Sequence, residues 1–139
     1  MPRPKLTPQI ACELAVALYN ASGECDARLE SMIAQEAYTA YFYADYTLRT
    51  RFFEGEPAII ASPRYAYNYA REVIQGPWPE AETSIAQAPE RAFQYAMNVL
   101  GGPFPEAEST LAEVPWAAVK YARYILKSPW PEAEAVIAQ

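Results

Sequence analysis

Pro77-Trp78-Pro79-Glu80-Ala81-Glu82 returns as Pro103-Phe104-Pro105-Glu106-Ala107-Glu108, and again as Pro129-Trp130-Pro131-Glu132-Ala133-Glu134. The block therefore recurs every 26 residues. A fixed period of that size marks a stacked repeat architecture, in which each unit buries its apolar side only against its neighbours. Working outward from the block, the period divides the chain into units 10–35, 36–61, 62–87, 88–113 and 114–139, with residues 1–9 as an N-terminal arm.

The third to fifth units are regular. Each opens on a proline (Pro63, Pro89, Pro115) suited to the first turn of a helix, and Ser62 reads as an N-cap where Ala88 and Val114 are weak ones. Apolar residues then follow at i, i+3, i+4, i+7 and i+8: Ala66, Tyr69, Ala70, Val73 and Ile74 in the third unit. Gly76-Pro77, Gly102-Pro103 and Ser128-Pro129 supply the stop, a residue tolerant of the left-handed conformation before one that cannot continue a helix. The second proline of the block starts a shorter helix whose first turn carries the glutamates, where the helix dipole favours negative charge. Each unit is predicted as a helix of about 13 residues, a proline corner plugged by Trp78, Phe104 or Trp130, and a helix of about 8 residues, neither stable alone.

The second unit keeps the register without the prolines, since Ala40, Tyr43 and Ala44 match Ala66, Tyr69 and Ala70 while Arg51 and Phe53 stand at the proline positions. The first unit keeps little beyond Leu14, Ala17, Leu18, Glu30 and Ile33, as expected of a cap with one neighbour. The expected fold is all-α, an α-solenoid-like, right-handed stack of about five helical hairpins in one domain. With helix axes about 8–10 Å apart it would span on the order of 45 Å.

Tyr65-Ala66-Tyr67-Asn68-Tyr69-Ala70, then Gly76, then Trp78-Pro79-Glu80-Ala81-Glu82, resembles short helical repeats of uncharacterised phage and bacterial proteins. The resemblance covers residues 36–139. It implies an architecture and a phage or mobile-element origin, and it carries no active site.

Composition narrows the function classes. The formal charge of −6 argues against a nucleic-acid backbone as the main partner and fits a basic protein partner or simple solubility. There is no histidine, which removes Ser-His and Cys-His nucleophile systems and leaves Cys12 and Cys25 without the companions a zinc site needs. The two thiols read as a reduced intracellular pair. The Glu-Ala-Glu pairs occur three times at one structural place, so dipole complementation accounts for them better than acid/base catalysis or metal binding. No G-x-G-x-x-G is present, Gly101-Gly102 sits at a helix end, and no run reaches the length of a membrane span. The expectation is a non-enzymatic protein without metal, cofactor or membrane, in the cytoplasm of a bacterial host, as a monomer or weak homo-oligomer.

The positions that the repeat leaves free are the informative ones. On one face of the long helices they hold Tyr38, Phe42, Tyr46, Tyr65, Trp116 and Tyr124 beside Arg71 and Arg123. Exposed aromatics with arginines are the residue types of binding hot spots. These eight residues are the candidate partner-binding site. The function expected is a protein-binding module, in its specific form a phage or mobile-element inhibitor that docks on a subunit of a host defence complex, as anti-CRISPR proteins do, and blocks or dismantles it sterically. Two alternatives stand beside it. One is a self-assembling structural repeat with an apolar end at Ala133, Ile137 and Ala138. The other is a single-stranded nucleic-acid binder that stacks bases on aromatics beside Arg71 and Arg123.

Overall fold

The computed structural model describes residues 5–137, with side chains through Glu134. Among these residues there is no strand, and the fold is all-α. The chain forms two compact units, Met1–Ala61 and Ser62–Gln139, divided at the boundary between the second and third repeats.

The first unit holds α1 (Pro8–Ser22), α2 (Ala27–Ile33), α3 (Ala37–Phe42) and α4 (Glu56–Ile60) as two helical hairpins. The second holds three: α5 (Pro63–Tyr69) with α6 (Pro79–Ala86), α7 (Pro89–Tyr95) with α8 (Glu108–Ala112), and α9 (Pro115–Tyr121) with α10 (Pro131–Ile137). Within it the long helices lie side by side, α5 on α7 and α7 on α9. Pro63, Pro89 and Pro115 take the first helical turn as predicted. Ser62 does not cap with its side chain, and it serves as Ala88 and Val114 do, through a carbonyl that accepts from the residue four ahead at 2.8 Å. A true side-chain cap stands elsewhere: Thr7 Oγ1 accepts from Ile10 N–H at 3.2 Å and starts α1 at Pro8, inside the expected arm.

Four of the long helices do not end as α-helices. Each runs on into a wider turn, over Tyr43–Leu48, Ala70–Ile74, Ala96–Leu100 and Ala122–Leu126, with hydrogen bonds from i+5 to i. One alanine carbonyl per unit closes it. Ala44 O accepts from Arg49 N–H at 2.8 Å and Ala122 O from Lys127 N–H at 2.7 Å, while Ala70 O and Ala96 O also receive Gly76 and Gly102 at 3.2 and 3.1 Å.

The reversal comes one residue earlier than the sequence reading placed it. The left-handed residues are Arg49 (φ 57), Gln75 (φ 61), Gly101 (φ 67) and Lys127 (φ 55), and not Gly76, Gly102 or Ser128. At Gln75, Gly101 and Lys127 the constraint that the later proline puts on the residue before it agrees with a positive φ one place upstream. Arg49 takes the same conformation with Arg51 at the proline position, so the reversal belongs to the widened turn that all four share.

The core follows the fixed positions. Ala66, Tyr69 and Ala70, their counterparts Ala92, Tyr95 and Ala96, and Ile85 and Leu111 of the short helices are fully buried. The first helix departs from the expected register. It buries Ala11 and Ala15, leaves Leu14 half exposed and turns Ala17 to solvent. Lacking a proline corner and a widened turn, α1 runs 15 residues and closes instead on Gly23 (φ 74), whose N–H donates to Tyr19 O at 2.7 Å.

A non-glycine residue in the left-handed region costs about 1–2 kcal/mol. Gln75→Gly and Lys127→Gly should therefore each raise stability by about 1 kcal/mol, and Gly101→Ala should lower it by a similar amount. Thermal denaturation of the three variants checks the sign at each position.

Candidate protein-binding surfaces

What the architecture uses must be separated from what it leaves over. The second to fifth repeats carry a tyrosine eight positions in, and Tyr43, Tyr69, Tyr95 and Tyr121 are all fully buried. Each ring lies against the corner aromatic of its own unit, with centroids 5.3 Å apart for Tyr43–Phe52, 4.8 Å for Tyr69–Trp78, 5.1 Å for Tyr95–Phe104 and 5.0 Å for Tyr121–Trp130. At Tyr43, Tyr95 and Tyr121 the hydroxyl reaches back to the preceding repeat. Tyr95 Oη donates to Glu82 Oε2 at 2.6 Å and accepts from the Trp78 N–H at 2.9 Å. Tyr121 Oη donates to Glu108 Oε1 and accepts from the Phe104 N–H, both at 2.8 Å. In the second repeat Tyr43 Oη donates to Glu30 Oε2 of the first at 2.7 Å.

This corrects the reading of the glutamate pairs. They do sit in the first turn of the short helix, but the second glutamate accepts from the tyrosine of the next repeat. The first joins neighbouring short helices: Thr83 Oγ1 donates to Glu106 Oε1 at 2.6 Å and Ser31 Oγ to Glu54 Oε1 at 2.8 Å. Glu82, Glu106 and Glu108 are thus tied by hydrogen bonds between repeats as well as placed at the helix start.

Burial, and then the hydrogen bond to its glutamate, pushes the Tyr95 hydroxyl far above the usual tyrosine range. Burial does the same at Tyr43, helped by Glu30 and by the neighbouring Cys25 thiol, and it dominates at Tyr121. Cys12 and Cys25 are both free thiols; burial, and then Glu13, raises the Cys12 pKa. Among the described residues no three His, Cys, Asp or Glu side chains are placed to hold a metal ion. No helix of the described residues is long and apolar enough to cross a membrane.

The eight candidate binding residues divide between the two units. Tyr38 and Phe42 of α3 and Tyr46 of the widened turn that continues it fall at i, i+4 and i+8 and form a ladder. Tyr38 lies 4.6 Å from Phe42, and Phe42 stacks on Tyr46 at 5.0 Å with planes 13° apart. Tyr38 is 47% exposed and Tyr46 65%.

The other five belong to the second unit. Trp116, Arg123 and Tyr124 are exposed together on the fifth repeat's long helix and its widened turn, with Arg123 over the Tyr124 ring at 5.7 Å. Tyr65 is half-buried beneath Arg64, and Arg71 pairs with its neighbour Glu72 at 3.4 Å.

The sequence reading left out Lys120, which sits over Trp116 at 5.7 Å, and Phe53, 68% exposed under Arg51 at 4.7 Å. The signal for Phe53 was present, since it stands where three other units have proline. Ala133, named as part of an apolar end, is fully buried; Ala138 and the Ile137 side chain lie outside the described residues. The second unit also carries two open grooves. One, of about 470 Å³, runs past Pro63, Pro89, Arg91 and Trp116; the other, of about 480 Å³, is lined by Val119, Ala122, Arg123, Lys127 and Ser128.

The class these observations define is an all-α protein of helical-hairpin repeats. No protein-family model, no curated protein and no solved structure matches the chain.

Two tests probe the tyrosine strut. Tyr95→Phe strands the buried Trp78 N–H and should cost about 1–3 kcal/mol, whereas Tyr124→Phe, on an exposed ring, should cost close to nothing. Because the folded pKa values of Tyr43, Tyr95 and Tyr121 are raised, their contribution is complete below the unfolded tyrosine pKa of about 10 and is lost as pH climbs above it. A pH series of thermal melts should show stability falling steeply above about pH 10, with the phenolate absorbance of these three buried rings appearing together with unfolding.

Proposed function

We propose that the chain is a non-catalytic protein-binding module that recognises its partner through residues the repeat does not need. The observation carrying this reading is the ladder Tyr38, Phe42, Tyr46. It places three aromatic side chains on consecutive turns, two of them well exposed, on a helix whose buried side is already filled by Thr39, Ala40 and Tyr43. Large rigid rings lose little side-chain entropy on binding, so a pre-stacked row is an efficient hot spot.

The finer form of the proposal is a phage or mobile-element inhibitor acting on a subunit of a host defence complex of the CRISPR type. Its support is the likeness to phage and bacterial repeats and a net charge of −6, suited to a partner that handles nucleic acid. Inhibition would be steric, by occupying a subunit surface.

Affinity capture from a bacterial lysate should recover a protein with the wild type and lose at least ten-fold with Phe42→Ala/Tyr46→Ala, while circular dichroism of that variant is unchanged. Equal recovery by both would remove the ladder from the site. For the finer form, expression in a defended host should restore phage plating, and the same double variant should abolish that protection. Plating that stays restricted with the wild type rules the inhibitor out.

A further inference from the structure

Charge in the second unit is divided by layer. Residues 62–139 hold six cations, Arg64, Arg71, Arg91, Lys120, Arg123 and Lys127, and every one lies on a long helix, its widened turn or the residue closing that turn. Of the nine glutamates in the same span, Glu72 and Glu90 share that layer, and the other seven stand on or beside the short helices. Six cations against two glutamates leave the long-helix layer at +4, in a chain whose net charge is −6.

The groove of about 470 Å³ is cut into this layer across the first turns of α5, α7 and α9, with Pro63, Arg64, Pro89, Glu90, Arg91 and Trp116 along it. Its walls come from three consecutive repeats of one compact unit. Trp116 is 46% exposed there. Arg64 and Glu90, aligned with it in the repeat, are exposed too although another long helix lies beside each. The exposure therefore belongs to the position in the repeat.

The cations of the groove are ordered but not neutralised. Arg91 is half-buried and donates from Nη1 to Gln94 Oε1 at 2.8 Å, and Arg64 lies over the Tyr65 ring at 5.5 Å. Lys120 sits over Trp116 at 5.7 Å, at the groove's edge. Among the described residues none of the three forms an ion pair. A guanidinium matches a carboxylate with two parallel hydrogen bonds, and tryptophan and arginine are the residue types that dominate binding energy. Neighbouring helix axes about 8–10 Å apart make a path across three of them roughly 20 Å long, the length of about six extended residues.

We propose that this groove takes an acidic segment of a partner polypeptide, bound extended, with carboxylates on Arg64 and Arg91 and an apolar side chain against Trp116, Pro63 and Pro89. Charge complementarity selects the acid, and the prolines with the indole select the apolar anchor. A single-stranded nucleic acid fits less well. It needs successive rings on which to stack its bases, whereas one ring lines the groove among the described residues, and Glu90 opposes an unbroken row of phosphates. The site goes beyond the partner-binding reading: it lies on the other compact unit from the aromatic ladder and recognises different chemistry.

An amide NMR titration of the full chain at low salt, with the hexapeptide Asp-Glu-Leu-Leu-Asp-Glu as probe, tests this. Expected are saturable shifts at the Trp116 indole N–H and in the first turns of α5, α7 and α9, weakened several-fold by about 0.5 M salt and absent with Asn-Gln-Leu-Leu-Asn-Gln. Arg64→Glu/Arg91→Glu should weaken binding at least about ten-fold. Arg123→Glu/Lys127→Glu makes the same charge change elsewhere on the layer and should alter it less than about two-fold. These side chains are exposed or half-exposed, and circular dichroism of both variants should match the wild type. A Trp116 indole that does not move up to about 5 mM peptide overturns the proposal. So does equal weakening by the two double variants, which would mean diffuse attraction without a site. A twelve-residue oligothymidylate that binds the same residues more tightly than the peptide would overturn it in favour of nucleic acid. Phe42→Ala/Tyr46→Ala should bind the peptide as the wild type does, so the groove and the ladder fail separately.

Discussion

The tyrosine hydroxyl inside the corners of the second unit, at Tyr95 and Tyr121, is the interaction on which the rest of that unit depends. It accepts from the backbone N–H of the corner aromatic in one repeat and donates to a glutamate of that same repeat, while its own ring belongs to the next. A corner held by proline cannot satisfy its peptide groups through a regular helix, and a buried N–H without an acceptor costs about 1–3 kcal/mol. The tyrosine removes that cost and ties two repeats with one side chain. Alanines at the flanking positions, all fully buried in the third and fourth repeats, let the long helices approach closely enough for it to reach.

Much of this was legible in the sequence. The 26-residue period, the helix starts at Pro63, Pro89 and Pro115, and the burial of Trp78, Phe104 and Trp130 all follow from spacing and from what proline does to a backbone. The partner of the buried tyrosine was not legible. Periodicity marks a residue as inward-facing, yet the same Glu82 and Glu108 satisfied a purely local explanation at a helix N-terminus, and nothing along the chain reveals a bond across 13 residues. The widened turn escaped for a similar reason. Its apolar positions fit an α-helical stripe, and the constraint on the residue before proline points to Gln75 and Lys127 but not to Arg49, which reverses in the same way with no proline after it.

The candidate surface was legible by subtraction. Positions that change from repeat to repeat, such as Tyr46, Trp116 and Tyr124, proved exposed because the invariant ones fill the core. Subtraction worked least well at Tyr65 and Arg71, one half-buried and the other paired with Glu72, because a variable position can still be engaged by its neighbours. In α1 it failed outright. A helix without the corner block has nothing to fix its rotation, so alignment to the period put Leu14 inside where Ala11 and Ala15 are found.

The buried Trp78 indole N–H, which has no hydrogen-bond partner, says something about how such a chain changes over generations. The fourth repeat has phenylalanine at that place and loses no bond by it, so the corner selects for a flat ring and is indifferent to its polar edge. The tyrosine facing it has no such latitude. Substitutions will drift at one side of each ring pair and be purged at the other. Because the struts at Tyr43, Tyr95 and Tyr121 each join adjacent repeats in one register, whole 26-residue modules are also the natural step by which the array can be lengthened or shortened.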